Sequence, residues 1–453
     1  MQKKLFLRLL AIGFLMLLLL IPLGLIRSVV AERQGLQTQV ENTIAMNLAG
    51  PQRIAGPLLV VPYVEREVVV TTDEKGHNTK KTVEHYRKAL FTAEQMTIDA
   101  ATGVESRYKG LYKALVYQTR ADFRARFAVP ANLGLDIDPA MVTVGRAWIA
   151  MGLSDVRGLR ASPVFQWNKQ ALQVANGTGV DVLGDGLQAK VGTLDVRSAS
   201  THEVDIKLDF AGTGALAVVP LGNTTVMQLK ASWPHPNFGG RFLPQSKSID
   251  ANGFTARWEV SHLASRNGAL IKQGSASDDR DRQKLEAFDV TFIEPVNIYQ
   301  QAERAVKYGI LFVVLTFAAF FLFEVLKSLR IHPLQYGLVG LALALFFLLL
   351  VSLSEHISLI YAYLASSAAC VLLIGYYLSH VLGGWRRGLS FAAQLSVLYA
   401  VLYGLLLSED NALMLGSLLL FIVLALVMVA TRKIDWYRLG ERSSEPPSEV
   451  PRT

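Results

Sequence analysis

Tyr308-Gly-Ile-Leu-Phe-Val-Val-Leu-Thr-Phe-Ala-Ala-Phe-Phe-Leu-Phe-Glu324 carries no charge until its final residue. A run this long and apolar suits a helix crossing about 30 Å of hydrocarbon, because a helix satisfies its backbone hydrogen bonds within its own segment. Four further segments of the same kind follow before Thr431, and Leu5 to Ile26 supplies one more at the start of the chain. The expected fold is therefore a membrane α-helical bundle of about six transmembrane helices. A long polar block, from about Ala31 to Val306, separates the first span from the rest.

The 453 residues are 51% hydrophobic, an average that hides these two different stretches. The formal net charge of +8 would suit nucleic acid if it were spread over the polar block. Much of the excess instead flanks the apolar spans, where basic residues mark topology before they mark a ligand. No nucleic-acid partner is expected; the lipid bilayer is. The single cysteine, Cys370, lies inside an apolar span, so the polar block forms no disulfide and no thiolate metal site.

The short loops agree on orientation. Lys3, Lys4 and Arg8 precede the first span, Lys327 and Arg330 follow the second, Arg386 and Arg387 follow the fourth, and Arg432, Lys433 and Arg438 follow the sixth. Alternate loops carry Glu355 with His356 and Glu409 with Asp410. Basic loops stay in the cytoplasm, so both termini are expected there and residues 31–306 on the opposite side. A cleavable signal peptide ending near Val29-Val30-Ala31 is the competing reading of the first span. Against it stand an apolar run longer than the 7 to 15 residues of a signal core and the arginines at Arg27 and Arg33 that follow.

Leu36, Val40, Ile44 and Leu48 recur every four residues up to Gly50-Pro51, which predicts a helical stalk over 31–50. Beyond it the period falls to two, in Leu58–Val61, Glu67–Val70, Ala121–Val129, Val204–Phe210, Val226–Ala231, Phe254–Val260 and Phe288–Phe292. The segment Asp205–Phe210, with Gly212-Thr213-Gly214 leading into Ala215–Val219, reads as a hairpin. Many short strands punctuated by Gly, Pro, Asn and Asp predict a large β-rich, sandwich-like domain over 51–296. A helical lead-in over 297–307, a five-helix bundle over 308–437 and a disordered tail over 438–453 complete the expected organisation.

Catalytic and cofactor motifs are absent. The 8 histidines are scattered, with no HExxH pair, and GxSxG does not occur. No metal, no cofactor and no catalytic residue is expected, and Gly212-Thr213-Gly214 is followed by a strand where a phosphate cradle needs a helix. Two candidate sites remain. Trp233-Pro-His-Pro-Asn-Phe-Gly-Gly-Arg-Phe-Leu-Pro244 is a rigid stretch whose Trp233, His235, Phe238, Arg241 and Phe242 can stack on a sugar or peptide, or else cap the sheet as core aromatics. Trp258 reads as core. In the membrane, Glu324 is a carboxyl group placed to form an interhelical polar site with Gln335 and Gln394, or else to pair with Lys327 at the membrane edge. Ala365 and Ala369, one turn apart, suggest a close helix contact.

Ile21-Pro-Leu-Gly-Leu-Ile-Arg27, Ala49-Gly-Pro-Gln-Arg-Ile-Ala-Gly-Pro-Leu-Leu-Val-Val-Pro62, Ala211-Gly-Thr-Gly-Ala-Leu-Ala-Val-Val-Pro220 and the Trp233 to Pro244 stretch resemble the CreD family. So do Tyr299-Gln300, Arg304 to Tyr308, Ala319 to Glu324, His332-Pro-Leu-Gln-Tyr336, Leu353-Ser-Glu-His356 and Ile434-Asp-Trp-Tyr437, in the same order. The resemblance covers nearly the whole chain up to about Tyr437. It implies a multi-pass protein of the Gram-negative inner membrane associated with cell-envelope integrity, with the polar domain in the periplasm. It also implies control by the two-component regulators CreB and CreC, with links to colicin tolerance and β-lactam responses. It carries no catalytic residues over. The expected function is non-enzymatic contact between the β domain and an unidentified envelope component or membrane-protein partner. The rivals are a transporter or lipid-handling protein using the last five helices, and a periplasmic enzyme modifying glycan or lipid.

Overall fold

The computed structural model describes residues 2–72, 78–273, 285–294, 298–327, 331–408 and 412–432. The expected tail over 438–453 and the loop charges at Arg330, Glu409, Asp410, Lys433 and Arg438 lie outside them. The chain divides into two compact units: Met1–Leu36 with Val296–Thr453, and Gln37–Pro295.

The second unit is built from two sheets. The nine-stranded sheet runs β14 (Pro236–Gly240), β17 (Phe288–Phe292), β12 (Ala215–Val219), β1 (Gln52–Thr72), β6 (Arg146–Leu153), β10 (Gly186–Thr193), β9 (Val174–Asn176), with β2 (Asn78–Thr92) and β5 (Val142–Val144) also paired to β1. The eight-stranded sheet runs β15 (Ser246–Asp250), β16 (Gly253–Ser261), β13 (Thr224–Ala231), β3 (Gln95–Lys109), β4 (Tyr112–Val129), β11 (Ser200–Thr213), β7 (Val164–Trp167), β8 (Gln170–Leu172). Alternation places Phe123, Phe127, Ile206, Leu208 and Trp258 of one sheet and Leu59, Val61, Ile149 and Val290 of the other in a common core. This is the sandwich that the period-two segments predict.

Strand β1 also explains an exception to that period. In Leu58-Leu59-Val60-Val61 all four side chains are buried, because Leu59 and Val61 enter the common core while Leu58 and Val60 enter a second core on the other face of the sheet. That second core is closed by Val182, Leu183, Leu285 and Ile271, the last from helix α2 (Asn267–Gln273).

One local expectation fails. Gly212-Thr213-Gly214 is not a hairpin turn: β11 ends in the eight-stranded sheet and β12 begins in the nine-stranded one, where it runs parallel to β1. The glycines serve a corner between sheets. Gly214 sits at φ +70°, and a Cβ on Gly212 would stand 2.5 Å from the Tyr117 hydroxyl. That hydroxyl donates to Ala215 O at 2.7 Å and accepts from the Gln52 N–H at 3.2 Å, and burial pushes its pKa up. Gln52, itself buried, donates through Nε2 to Asp155 O and Ala211 O, so the corner leaves its polar groups paired.

Helix α1 (Gln2–Asn47), Pro22 included, gives its residues up to Leu36 to the first unit. Val40 and Ile44 on its second half are half-buried, and Leu36 is exposed. Then come α3 (Ile298–Lys327), α4 (Pro333–Ser354), α5 (Leu359–Val381), α6 (Trp385–Leu407) and α7 (Ala412–Thr431). Among the described residues five helices, α1 and α3 to α6, are long and apolar enough to span a membrane, and α7 carries a shorter apolar run, Met414–Val429. Their core joins Leu19 and Leu23 of α1, Phe317 and Phe320 of α3, Phe346 and Phe347 of α4, Ile374 of α5 and Tyr399 of α6. No described residue of α7 belongs to that core.

The expected small-residue contact at Ala365 and Ala369 is not made; both are exposed. Helix α5 buries Ala362, Ser366 and Cys370 instead, a face one position further round. Its close approach to α6 occurs at other small residues: a Cβ on Gly388 would stand 2.7 Å from Ser379 Cα, and one on Gly375 3.0 Å from Ala392 Cβ.

Candidate functional site

Glu324 is 7% exposed in α3 and faces the start of α4. Its Oε2 accepts from the Tyr336 hydroxyl at 2.7 Å, and its Oε1 accepts a longer bond from the Ile331 N–H at 3.4 Å. The Tyr336 ring is clasped by Phe320 and Phe317, at centroid distances of 4.5 and 5.6 Å. The carboxyl group thus sits beside the N-terminus of α4, where the helix dipole favours an acceptor.

Gln335 and Gln394 do not join it. Gln335 Oε1 accepts from the His332 N–H at 3.0 Å, while His332 Nδ1 accepts from the Leu334 N–H at 3.2 Å, a reciprocal cap with Pro333 at the first helical position. A cap fixes Gln335 to its own turn, which is why it is unavailable to a neighbouring helix. Gln394 is exposed and lines a groove of about 730 Å³ between α3, α6 and α7, among Leu315, Leu322, Leu398 and Leu419. Among the described residues no hydrogen bond joins it to Glu324. The expected three-residue polar site is therefore three separate features. The Lys327 side chain lies outside the described residues.

Tyr336 was not singled out by the sequence, although it closes the Glu324 site. A second polar cluster also escaped it. Glu355, its side chain 9% exposed, lies 3.5 Å from Arg33 Nε and accepts from the Tyr299 hydroxyl at 3.3 Å, tying α1, α3 and the end of α4 together. In sequence Arg33 read only as an arginine following the first span and Glu355 only as a loop charge; their pairing across many residues left no local signal.

In the β unit the Trp233 to Pro244 stretch is an edge strand, not a free loop. Residues Pro236–Gly240 pair antiparallel with Phe288–Phe292. Trp233, Phe238 and Phe242 pack half-buried on the common core, Trp233 Nε1 donates to Ile293 O at 2.9 Å, and the Phe238 ring stands edge-on to Phe254 and Trp258. His235 is exposed, with its ring edge-on to Trp233 at 6.1 Å, and exposed Arg241 lies 3.6 Å from Glu286. The aromatics cap the sheet; His235 and Arg241 do not converge with them on a ligand cleft. Trp258 is core, 1% exposed and stacked on Phe288 at 5.1 Å. Among the described residues no three His, Cys, Asp or Glu side chains are grouped to share a metal ion.

Comparison with known proteins bears on the whole chain. A family model described as Inner membrane protein CreD matches residues 4–437. The Inner membrane protein CreD of Escherichia coli (strain K12) is 37% identical over 436 residues, covering 96% of this chain and 94% of that one. Two crystal structures of an M1 zinc metallopeptidase from Deinococcus radiodurans, one of them a mutant bound to substrate, align over 44% of this chain and 42% of theirs. They do so at 10% and 9% identity and a TM-score of 0.21, a likeness too low to carry an argument.

Proposed function

This chain belongs to the CreD family of inner membrane proteins, and we propose that it sustains cell-envelope integrity without catalysis, through contacts made by its β domain on the periplasmic side. The observation that carries this reading is the self-contained two-sheet unit, Gln37–Pro295, inserted between the first apolar helix and the remaining ones. The basic flanks at Arg386 and Arg387 and at the N-terminus support the orientation, since retained loops accumulate Lys and Arg. Both termini are then cytoplasmic, and expression falls within the regulon of CreB and CreC. The partner is an envelope component or another membrane protein.

The test is a transplant. Residues 31–306 are expressed in the periplasm on an unrelated single-span anchor, in cells lacking the native protein, and sensitivity to detergent and β-lactam is scored. Restoration is expected. Failure with the domain folded and present at normal level sinks the reading and assigns the activity to the helices.

A second reading draws on the groove between α3, α6 and α7. Its apolar lining and volume suit an acyl chain, as a lipid-handling protein would need. If Gly404→Phe, which fills that groove, abolishes function in a correctly inserted protein, that reading displaces the first. An enzymatic reading of the edge strand has less behind it, and function retained by the double substitution of His235 and Arg241 to Ala ends it.

A further inference from the structure

The outer face of the eight-stranded sheet is not uniformly studded with long side chains. Along β4 it presents Gln118, Arg120, Asp122, Arg124 and Arg126, all exposed, on the face opposite the core. Across the sheet one row reads Asp209, Arg120, Ala101, Lys230, Thr255, and the next reads Ala211, Gln118, Gly103. Ala101, Gly103 and Ala211 are small where their neighbours are long, and the sheet is hollowed there. One cavity of about 690 Å³ and an adjoining one of about 210 Å³ share Gly103, Gln118 and Ser232 in their walls.

Gly103 is the telling residue. It lies inside strand β3, its φ is outside the left-handed region, and a Cβ built on it meets nothing within 4 Å. Neither backbone conformation nor crowding calls for glycine, although glycine in a strand interior costs about 0.5 to 1 kcal/mol relative to alanine. Glycine inside a strand marks a bulge, a tight bend or a close approach by another group, and the unbroken register of β3 with β4 from Gln95 to Lys109 leaves no bulge here.

The walls describe that molecule. Arg107, Arg120, Arg160 and Lys230 line the trough against Glu105 and Asp250. Arg107 pairs with Glu105 at 2.9 Å and Arg120 with Asp209 at 3.4 Å, so Arg160 and Lys230 are the cations that enter no ion pair among the described residues. Gln118, Asn252, Ser232 and Thr255 add amides and hydroxyls around the small floor. Strand β3 is paired with β4 along its whole length and with β13 only as far as Thr102, and the backbone groups flanking Gly103 on that second side are taken by Ser232, whose N–H donates to Thr102 O at 3.0 Å and whose Oγ accepts from the Val104 N–H at 3.3 Å, so at Gly103 recognition falls to side chains. Amides and hydroxyls over a small apolar floor, with unpaired cations at the rim, suit hydroxyl-rich rings bearing acid groups.

We infer that the trough centred on Gly103 binds an anionic glycan. The inference deepens the proposed function by naming what the β domain contacts, and it rests on that reading for its biological setting. Full-length protein in phosphatidylcholine nanodiscs is titrated calorimetrically with hexagalacturonate, with cellohexaose as the neutral probe and hexaglutamate as the acidic peptide. Hexagalacturonate is expected to bind, more weakly as salt rises, and cellohexaose at least about tenfold more weakly still, a difference of about 1.4 kcal/mol. Gly103→Phe and Lys230→Glu should each weaken hexagalacturonate at least about tenfold without lowering the thermal unfolding midpoint.

No binding of hexagalacturonate, or binding indifferent to both substitutions, overturns the site. Hexaglutamate bound as tightly and with the same sensitivity makes the ligand an acidic peptide and overturns the glycan. Should Gly103→Phe lose binding yet restore the envelope of deficient cells, the trough stands and its link to the envelope reading falls. A transplanted domain that binds normally but fails to restore the envelope breaks that reading alone.

Discussion

The β unit and the helical bundle handle polar side chains in opposite ways. The sandwich spreads its charges over an outer face laced with ion pairs such as Arg124 with Asp99 and Arg120 with Asp209, and reserves its interior for apolar residues from both sheets. The bundle has few charges to spread. Two of its acids are drawn inward, Glu324 to Tyr336 and Glu355 to Arg33 and Tyr299, while Arg27 with Glu303 and the pair Arg386 and Arg387 stay at the surface. Exposed pairs in water are worth little each, whereas a polar group withdrawn from water must keep its partner. The comparison therefore assigns the stability of the sandwich to its aromatic core and the geometry of the bundle to single polar contacts.

The largest effect tests the first half of that assignment. Trp258 joins the two sheets through its stack on Phe288, and Trp258→Ala is expected to cost about 3 to 5 kcal/mol in unfolding of the β unit. Its indole N–H has no hydrogen-bond partner among the described residues, so Trp258→Phe loses volume but no satisfied bond and should cost less than half as much. Equal losses for the two variants would show the indole nitrogen to be engaged and the core less purely apolar than argued. Tyrosine and tryptophan fluorescence during urea unfolding gives both values.

Next comes the bundle. Tyr336→Phe keeps the ring between Phe317 and Phe320 and removes only the hydroxyl that donates to Glu324, so a loss of about 1 to 3 kcal/mol would be due to that bond. Thermal melting in detergent, followed by helical circular dichroism, is the measurement. A melt unchanged from wild type would erase the contrast between the two units.

These same features decide what could be read in advance. Every period-two segment named from the sequence became a strand; most alternate because one face is buried, whereas Leu58–Val61 is buried on both faces and Glu67–Val70 is exposed on both. The corner at Gly212-Thr213-Gly214 misled because a glycine-rich connection between two strands looks alike whether the second strand folds back or passes to the other sheet. Only the parallel pairing of β12 with β1, made far along the chain, tells them apart. In the bundle the spans were legible from length and apolarity, but their faces were not. A helix apolar all round gives no sign of which side meets protein, and Ala365 and Ala369 were placed on the wrong one. Glu324 stood out as an acid in an apolar run; its partner Tyr336 is an ordinary residue on the next helix.

A smaller effect sharpens the surface side of the comparison. Arg124 of β4 reaches Asp99 of β3 diagonally, one same-face position along from its direct neighbour Thr97, with much of both side chains in water. Arg124→Ala should change the unfolding free energy by less than about 1 kcal/mol, and high salt should shrink even that. A loss as large as that of Tyr336→Phe would mean that the ion-pair rows act as a network and hold the sheet.

The smallest effect lies at the boundary between the two regimes. His202 is half-buried in β11, stacked on Trp167 at 4.5 Å, and burial lowers its pKa. Asn168 Oδ1 accepts from the Glu203 N–H, which turns the amide nitrogen toward His202 Nδ1 at 3.2 Å. Nδ1 must then accept, and Nε2 carries the proton that it donates to the Ser200 hydroxyl at 3.0 Å. The fold thus selects neutral imidazole. With the folded pKa below the unfolded value of about 6.5, the unfolded chain binds the extra proton first. The stabilisation is complete above about pH 6.5 and is lost as pH falls from there through the depressed folded value. Wild type should therefore lose more stability between pH 7.5 and pH 5 than His202→Gln, which cannot take up that proton. Identical slopes would place the titrating group elsewhere and leave the Trp167 stack as a packing contact only.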